Sequence, residues 1–319
     1  MSTITVQQRP FGTLSTGETV TCYSLRNASG LTVNLLNYAA TLNAVQIPDS
    51  RGKMHEVTLG SAQLEDYTST AVRSGMTLVH GPFSHSNSAL LSQAVWKANS
   101  TTQPEEASIT FTLENTLQTH DSIIPIQYSL QVKYTLTITN ELIIQSDAQT
   151  NASLPIFMTH HPIWNLVSKD EGSITDHILQ IWAKRYHLVD AFDCTNKPWL
   201  DVADNKAFDF QQPQRLSEKQ AQIAAIANYN ICLLLNAKAE KNTNEAFLSL
   251  AARIKAPISG RTLEIYTTQA GLHFYLEKQA DKGIKGFCFS PRPLYPDLSS
   301  GSQKNVNGIS QETRYKLIG

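Results

Sequence analysis

Strict two-residue alternation constrains this chain more than any other feature. Tyr128-Ser129-Leu130-Gln131-Val132-Lys133-Tyr134-Thr135-Leu136 sets apolar and polar side chains in turn. Thr139-Asn140-Glu141 makes a turn, and Leu142-Ile143-Ile144-Gln145-Ser146-Asp147-Ala148 runs back. Successive strand side chains point to opposite faces, so the pattern predicts half-buried antiparallel strands. Ser108-Ile109-Thr110-Phe111-Thr112-Leu113 has the same period.

Further strands are expected over residues 31–38 and 42–48, with a turn at Asp49-Ser50-Arg51-Gly52-Lys53 and a return through Glu56-Val57-Thr58-Leu59-Gly60. Later ones are expected over 177–183, 231–235, 247–254, 262–267, 271–276 and 285–290. Residues 61–95 are rich in Ser, Thr, Asn and His and are broken by Gly75, Gly81 and Pro82, which predicts loop. Leu216 to Ala227 is the one convincing helix candidate. There is no fixed-period repeat, low-complexity tract or Pro/Gly/Ser linker. The expectation is a single all-β domain over residues 1–319, a large antiparallel β-sandwich with few short helices.

Composition narrows the function classes. Hydrophobic residues make up 41% of the 319, enough for a core without metals or disulfides. A net charge of −1 and a pI near 6.8 give no electrostatic case for nucleic acid or an anionic membrane as partner. Cys22, Cys194, Cys232 and Cys288 are far apart with no C-x-x-C pair, so free thiols are expected, buried most clearly at Cys232 and Cys288. Met1-Ser2-Thr3-Ile4-Thr5 carries no basic or apolar leader pattern, and no apolar run reaches membrane-spanning length. A cytoplasmic protein is the expectation.

The chemistry concentrates in Thr159-His160-His161-Pro162-Ile163-Trp164-Asn165-Leu166. Imidazole exchanges protons near neutral pH without a perturbed pKa. This stretch resembles the Thr-Asn-His-x-aromatic-aromatic-Asn-Leu motif of the aldose 1-epimerase (galactose mutarotase) family. Asn37-Tyr38-Ala39-Ala40-Thr41-Leu42, Pro48-Asp49-Ser50-Arg51-Gly52-Lys53 and Val57-Thr58-Leu59-Gly60 are similar to that family's first hairpin. Ser259-Gly260-Arg261 and residues 262–269 resemble a strand leading to its active site.

The resemblance implies a galactose mutarotase-like supersandwich, a small-molecule sugar (a hexose or derivative) as partner, and no metal or cofactor. It also implies a reaction in which a Glu base takes the anomeric hydroxyl proton while a His acid protonates the ring oxygen. The ring opens, the C1–C2 bond turns, and the ring closes on the other face. One proton donor and one proton acceptor are the minimum for this chemistry.

Carried over by position, His161 is the acid, with His160 standing where the family has Asn. His80, in Leu78-Val79-His80-Gly81, matches a hydroxyl-binding His. The segment before it, residues 67–83, is contracted, and Arg73 is the candidate for the sugar-gripping Arg. Near the C-terminus, Gly286-Phe287-Cys288-Phe289-Ser290-Pro291-Arg292-Pro293-Leu294-Tyr295-Pro296-Asp297 places Ser290 at the base position. A serine hydroxyl holds a sugar hydroxyl but does not carry a proton away at neutral pH. Asn228 stands where a sugar-binding Asp is expected, keeping an acceptor and losing the charge.

His273 occupies a place where the family usually has Gln, and is a candidate replacement base. Trp164 and Tyr275 are core aromatics by the plain reading and an aromatic floor for a sugar by the functional one. Glu264 reads as a solvated position. Arg292 reads as an ordinary surface residue or as a contact for an anionic sugar substituent. Two functions follow: an impaired or retargeted mutarotase, and a catalytically silent sugar-binding sensor.

Overall fold

The computed structural model describes residues 4–69, 74–80, 91–117, 126–151, 156–170, 173–189, 198–224, 226, 229–236, 247–279, 283–294 and 308–319. The fold is all-β. Antiparallel strands form several sheets, and the helical pieces are short. Contacts sort the chain into two compact units. The first holds residues 1–45, 60–161 and 300–312; the second holds 46–59, 162–299 and 313–319.

In the first unit the alternating segments pair as expected. Ile126–Thr137 is flanked by Glu106–Leu117 and Glu141–Thr150, in registers that set Ile109 opposite Tyr134 and Ile144 opposite Tyr134. Leu130, Val132, Tyr134 and Leu136 are all buried, which is why the period reads so clearly. Lys97–Thr102 extends this sheet at its edge. An N-terminal hairpin, Thr5–Thr13 with Thr19–Arg26, was not expected; its first strand is mostly exposed and carries no alternation.

Residues 61–95 are not all loop. They include a short helix, Leu64–Thr68, and the strand Thr77–His80, which pairs antiparallel with Phe157–His160.

The second unit corrects three expectations. Residues 177–183 are not one strand. Ile178–Ile181 pairs with Ser249–Lys255, while Ala183–Leu188 pairs with Asn230–Leu235 in a different sheet. The chain changes sheet at Trp182, a step that local alternation does not reveal. The expected helix is a 3-10 turn, Leu216–Lys219, followed by one α turn, Gln220–Ala224. The return strand is Met54–Glu56, and only Thr58 beyond it makes an isolated bridge, to Trp164.

A six-stranded sheet positions the site residues of this unit. Its order is Ile163–Trp164, Gly283–Arg292, Gly271–Gln279, Asn230–Leu235, Ala183–Leu188 and Leu200–Asp201. Among the described residues no helix is long and apolar enough to cross a membrane. Cys22, Cys232 and Cys288 are buried free thiols; Cys194 lies outside the described residues.

Candidate active site

In the first unit the paired strands Thr77–His80 and Phe157–His160 bring three histidines onto one framework. Gly75 and the residues around Ala39 hold it in place. Gly75 N–H donates to the His161 carbonyl at 2.9 Å, and the Gly75 carbonyl accepts from Leu42 N–H at 2.8 Å. Its φ is +75°, and a Cβ there would lie 1.9 Å from the Leu42 oxygen, so only glycine fits. Ala39 and Ala40 also have positive φ, +54° and +43°. Non-glycine residues in this region need outside support. Thr77 N–H and its hydroxyl donate to the Ala39 and Ala40 carbonyls, and the Tyr134 hydroxyl donates to Ala40 at 2.7 Å.

The adjacent histidines have different surroundings. His160 is bonded through both ring nitrogens, Nε2 to Ser146 Oγ at 2.7 Å and Nδ1 to Thr77 Oγ1 at 3.1 Å. The Thr77 hydroxyl proton already goes to Ala40, so Thr77 accepts from Nδ1–H and Ser146 donates to Nε2. That is a neutral imidazole, and burial pushes its pKa down to about 3.

His161 is 3% exposed, and its Nε2 lies 2.8 Å from Thr159 Oγ1. The same hydroxyl lies 2.7 Å from His80 Nε2. A hydroxyl has one proton and can donate to only one of the two rings, so at least one of the two Nε2 atoms carries a proton, and the tautomers of His80 and His161 are coupled. His80 is half-buried and stacks on Phe157 at 4.5 Å. Thr159 was not singled out in the sequence. It precedes His161 by two residues, and only the pairing of strands about eighty residues apart brings His80 to it.

In the second unit the motif continues as a frame. Trp164 is fully buried, lies opposite Phe287, and packs on Tyr315 with ring centroids 5.2 Å apart. Asn165 donates to the Lys285 carbonyl at 3.1 Å, and its side-chain oxygen accepts from Val167 N–H at 3.0 Å. Arg261 is 1% exposed and donates to the carbonyls of Ile47, Pro48, Lys53, Leu166 and Val167. The Ser259-Gly260-Arg261 stretch thus fixes backbone.

The six-stranded sheet has two unlike faces. One is apolar: Tyr186, Ile231, Leu233, Leu272, Phe274, Phe287 and Phe289, with Phe274 stacked on Phe289 at 4.4 Å. The other is polar. His187 lies opposite Cys232, Cys232 opposite His273, and His273 opposite Ser290, a row across four strands. All four residues are at most 2% exposed.

His273 Nε2 bonds Asn230 Oδ1. That oxygen only accepts, so Nε2 carries the proton and Nδ1 the basic lone pair. Tyr275, two residues along, has its pKa raised by burial, and so does Cys288 opposite it. Among the described residues the carboxylates on the strands of this face are Asp201, opposite Arg185, and Glu277, four residues along the strand from His273. Neither belongs to the His273–Ser290 row. Burial raises the pKa of Glu277.

Two other expectations need correction. Glu264 is 8% exposed, not solvated; it accepts from Arg253 Nε at 2.8 Å and from the Tyr266 hydroxyl at 2.8 Å. Arg292 is 5% exposed and so is not an ordinary surface residue. Arg73 and Asn228 lie outside the described residues, as does part of the 67–83 segment. No group of three or more His, Cys, Asp or Glu among the described residues is arranged to hold a metal ion.

Comparison with known proteins bears on the whole chain. The family model described as aldose 1-epimerase matches residues 21–307. The chain is 27% identical to galactose mutarotase of Mus musculus, covering 97% of this chain and 92% of that protein. It is 28% identical to galactose mutarotase of Homo sapiens, covering 96% and 92%. Among solved structures it resembles galactose 1-epimerase from Lactobacillus acidophilus, with a TM-score of 0.76 at 19% identity and 99% of both chains covered. It also resembles a GalM/aldose epimerase homologue from C. elegans, with a TM-score of 0.72 at 22% identity, covering 91% of this chain and 96% of that one.

Proposed function

The chain belongs to the aldose 1-epimerase family, and from that premise we propose that it binds a hexose and interconverts its anomers with its proton acceptor weakened. Membership supports sugar mutarotation in general. In this reading His161 gives a proton to the ring oxygen. Thr159 orients that imidazole and couples it to His80, which binds a sugar hydroxyl. His160 is excluded as the acid: both of its nitrogens are engaged inside the first unit, and it stays neutral far below physiological pH. At the position of the family's Glu base, Ser290 holds the anomeric hydroxyl without removing its proton. Arg73, Asn228 and Trp164 keep the binding roles their positions suggest, and the whole chain acts as one carbohydrate-binding domain.

The observation that carries this reading is the Ser290 row. Its hydroxyl is fully buried, has no hydrogen-bond partner among the described residues, and has an imidazole rather than a carboxylate opposite it. Loss of a positioned general base typically costs roughly 10²–10⁴-fold. Polarimetry on freshly dissolved α-galactose and α-glucose tests this. The expected acceleration over buffer is small, and rates typical of a complete acid–base pair would overturn the weakened acceptor. The same observation favours a second reading, a silent sugar-binding sensor. Calorimetric binding with no acceleration at all would select it.

A further inference from the structure

A polar hollow of about 200 Å³ lies over the strands Lys97–Thr102, Glu106–Leu117 and Ile126–Thr137 of the first unit. Ala107, Ile109 and Phe111 are buried in the core, so alternation turns Glu106, Ser108 and Thr110 to the opposite face. Register brings up the rest. Thr101 lies opposite Ser108, Lys133 opposite Thr110, and Gln131 opposite Thr112. Gln103 stands at the turn, its N–H bonded to the Glu106 carbonyl at 2.8 Å. Ser108 is therefore the middle of the hollow, with Glu106 at one end and Lys133 at the other. The four strand residues from Glu106 to Thr110 span roughly 13 Å.

All seven lining side chains are polar, and none of them hydrogen-bonds another described residue. Ser108 is 4% exposed, so its hydroxyl needs a partner from within the hollow. Glu106 and Lys133 face the same space, yet neither forms an ion pair among the described residues.

We propose that this hollow binds a small free amino acid. The ligand's carboxylate meets the Lys133 ammonium and its own ammonium meets Glu106, so each unpaired charge finds its opposite. Ser108, Thr110 and the amides of Gln103 and Gln131 serve the remaining donors and acceptors. Other classes fit less well. An anion such as phosphate would face Glu106, and a metal cation would face Lys133. A sugar would leave both charges without an opposite and would find no aromatic ring to lie on. No apolar side chain lines the hollow, so a hydrocarbon group gains nothing there, which favours glycine, serine or glutamine over leucine. The site shares no residue with the proposed sugar site and does not depend on that reading.

Calorimetric titration of the full chain with glycine, serine, glutamine and leucine tests this. At least one of the three polar amino acids is expected to bind with a Kd below about 1 mM. Its amide and its N-acetyl form, each lacking one charge, should bind about tenfold more weakly, and so should the amino acid itself to Lys133→Gln or Glu106→Gln. Both side chains are partly exposed, and an unchanged denaturation midpoint will show that the variants stay folded. Ser108→Ala should weaken binding about threefold. No binding of any of the four overturns the site. So does binding that both charge variants leave unchanged, since the ligand then sits elsewhere. Acetate binding as tightly as the amino acid would make Lys133 a plain anion contact, and leucine binding more tightly than serine would contradict the polar lining; either result overturns the assignment.

Discussion

The two imidazole-bearing regions follow opposite rules. In the first unit, Ser146, Thr77 and Thr159 meet the histidine ring nitrogens at 2.7–3.1 Å. In the second, a row of four buried residues holds a serine hydroxyl and an imidazole without a hydrogen-bond partner among the described residues. Leaving a buried polar group unmade costs about 1–3 kcal/mol. The difference separates two tasks. In the proposed function the donor side is satisfied by the chain itself, whereas the acceptor side is a buried row without a carboxylate.

The largest effect comes from giving the second region what it lacks. Ser290→Glu combined with Asn228→Asp is expected to raise mutarotation by roughly 10²–10⁴-fold, the worth of a positioned base. Polarimetry reads it directly. No gain in a folded double variant would mean that the acceptor lies elsewhere, with His273 the first residue to replace. The second test works in that improved background, where the uncatalysed reaction no longer masks the signal. There His161→Gln should lose about a hundredfold and His160→Asn should lose little. The reverse result would exchange the roles assigned to the two neighbours.

How far the sequence showed these features depends on which physical signal carried them. Strands with one buried face announced themselves, as Ile126–Thr137 did. Thr5–Thr13 is mostly exposed and gave no period to read. Gly308–Ile318 was hidden because it buries Gln311 and Thr313 among its apolar residues. The switch of sheets at Trp182 depends on pairing with distant strands, so no local window contains it. His161 was found through the motif around it. The Thr159 bridge and the His187 row were not found, because each exists only through register between strands far apart in the chain.

Burial predicts a milder, pH-dependent effect with one histidine in each unit. His160 in the first is pushed down to about 3, and His177 in the second to about 4, both from a normal 6.5. Each ring stays neutral in the folded chain while the unfolded chain takes up a proton. Stability is therefore full above about pH 6.5 and falls as the pH drops, until the folded pKa is reached. The slope is about 1.4 kcal/mol per pH unit for each ring. Denaturant unfolding of the wild type and of His160→Asn between pH 6 and pH 4.5 isolates the first ring. The variant should lose about 1.4 kcal/mol less per pH unit. Parallel curves would show that His160 is not held neutral.

The smallest effect tests the bridge itself. Thr159 is 1% exposed, and its hydroxyl is shared by His80 and His161. Thr159→Val keeps the shape and removes the shared hydroxyl. Both rings then lose the hydroxyl they share, and their tautomers are no longer coupled through it. In the Ser290→Glu, Asn228→Asp background this should lower kcat by about tenfold, the scale of one lost hydrogen bond, with KM less affected. The acidic limb of the pH–rate profile should shift as the coupling between the rings is lost. Thr159→Ser restores the hydroxyl and should restore both the rate and the profile. A purely packing role predicts the opposite ranking, with valine harmless and serine, which lacks the methyl, the damaging change. Two substitutions at one position thus decide whether the donor side depends on that hydroxyl or only on the shape of the strand.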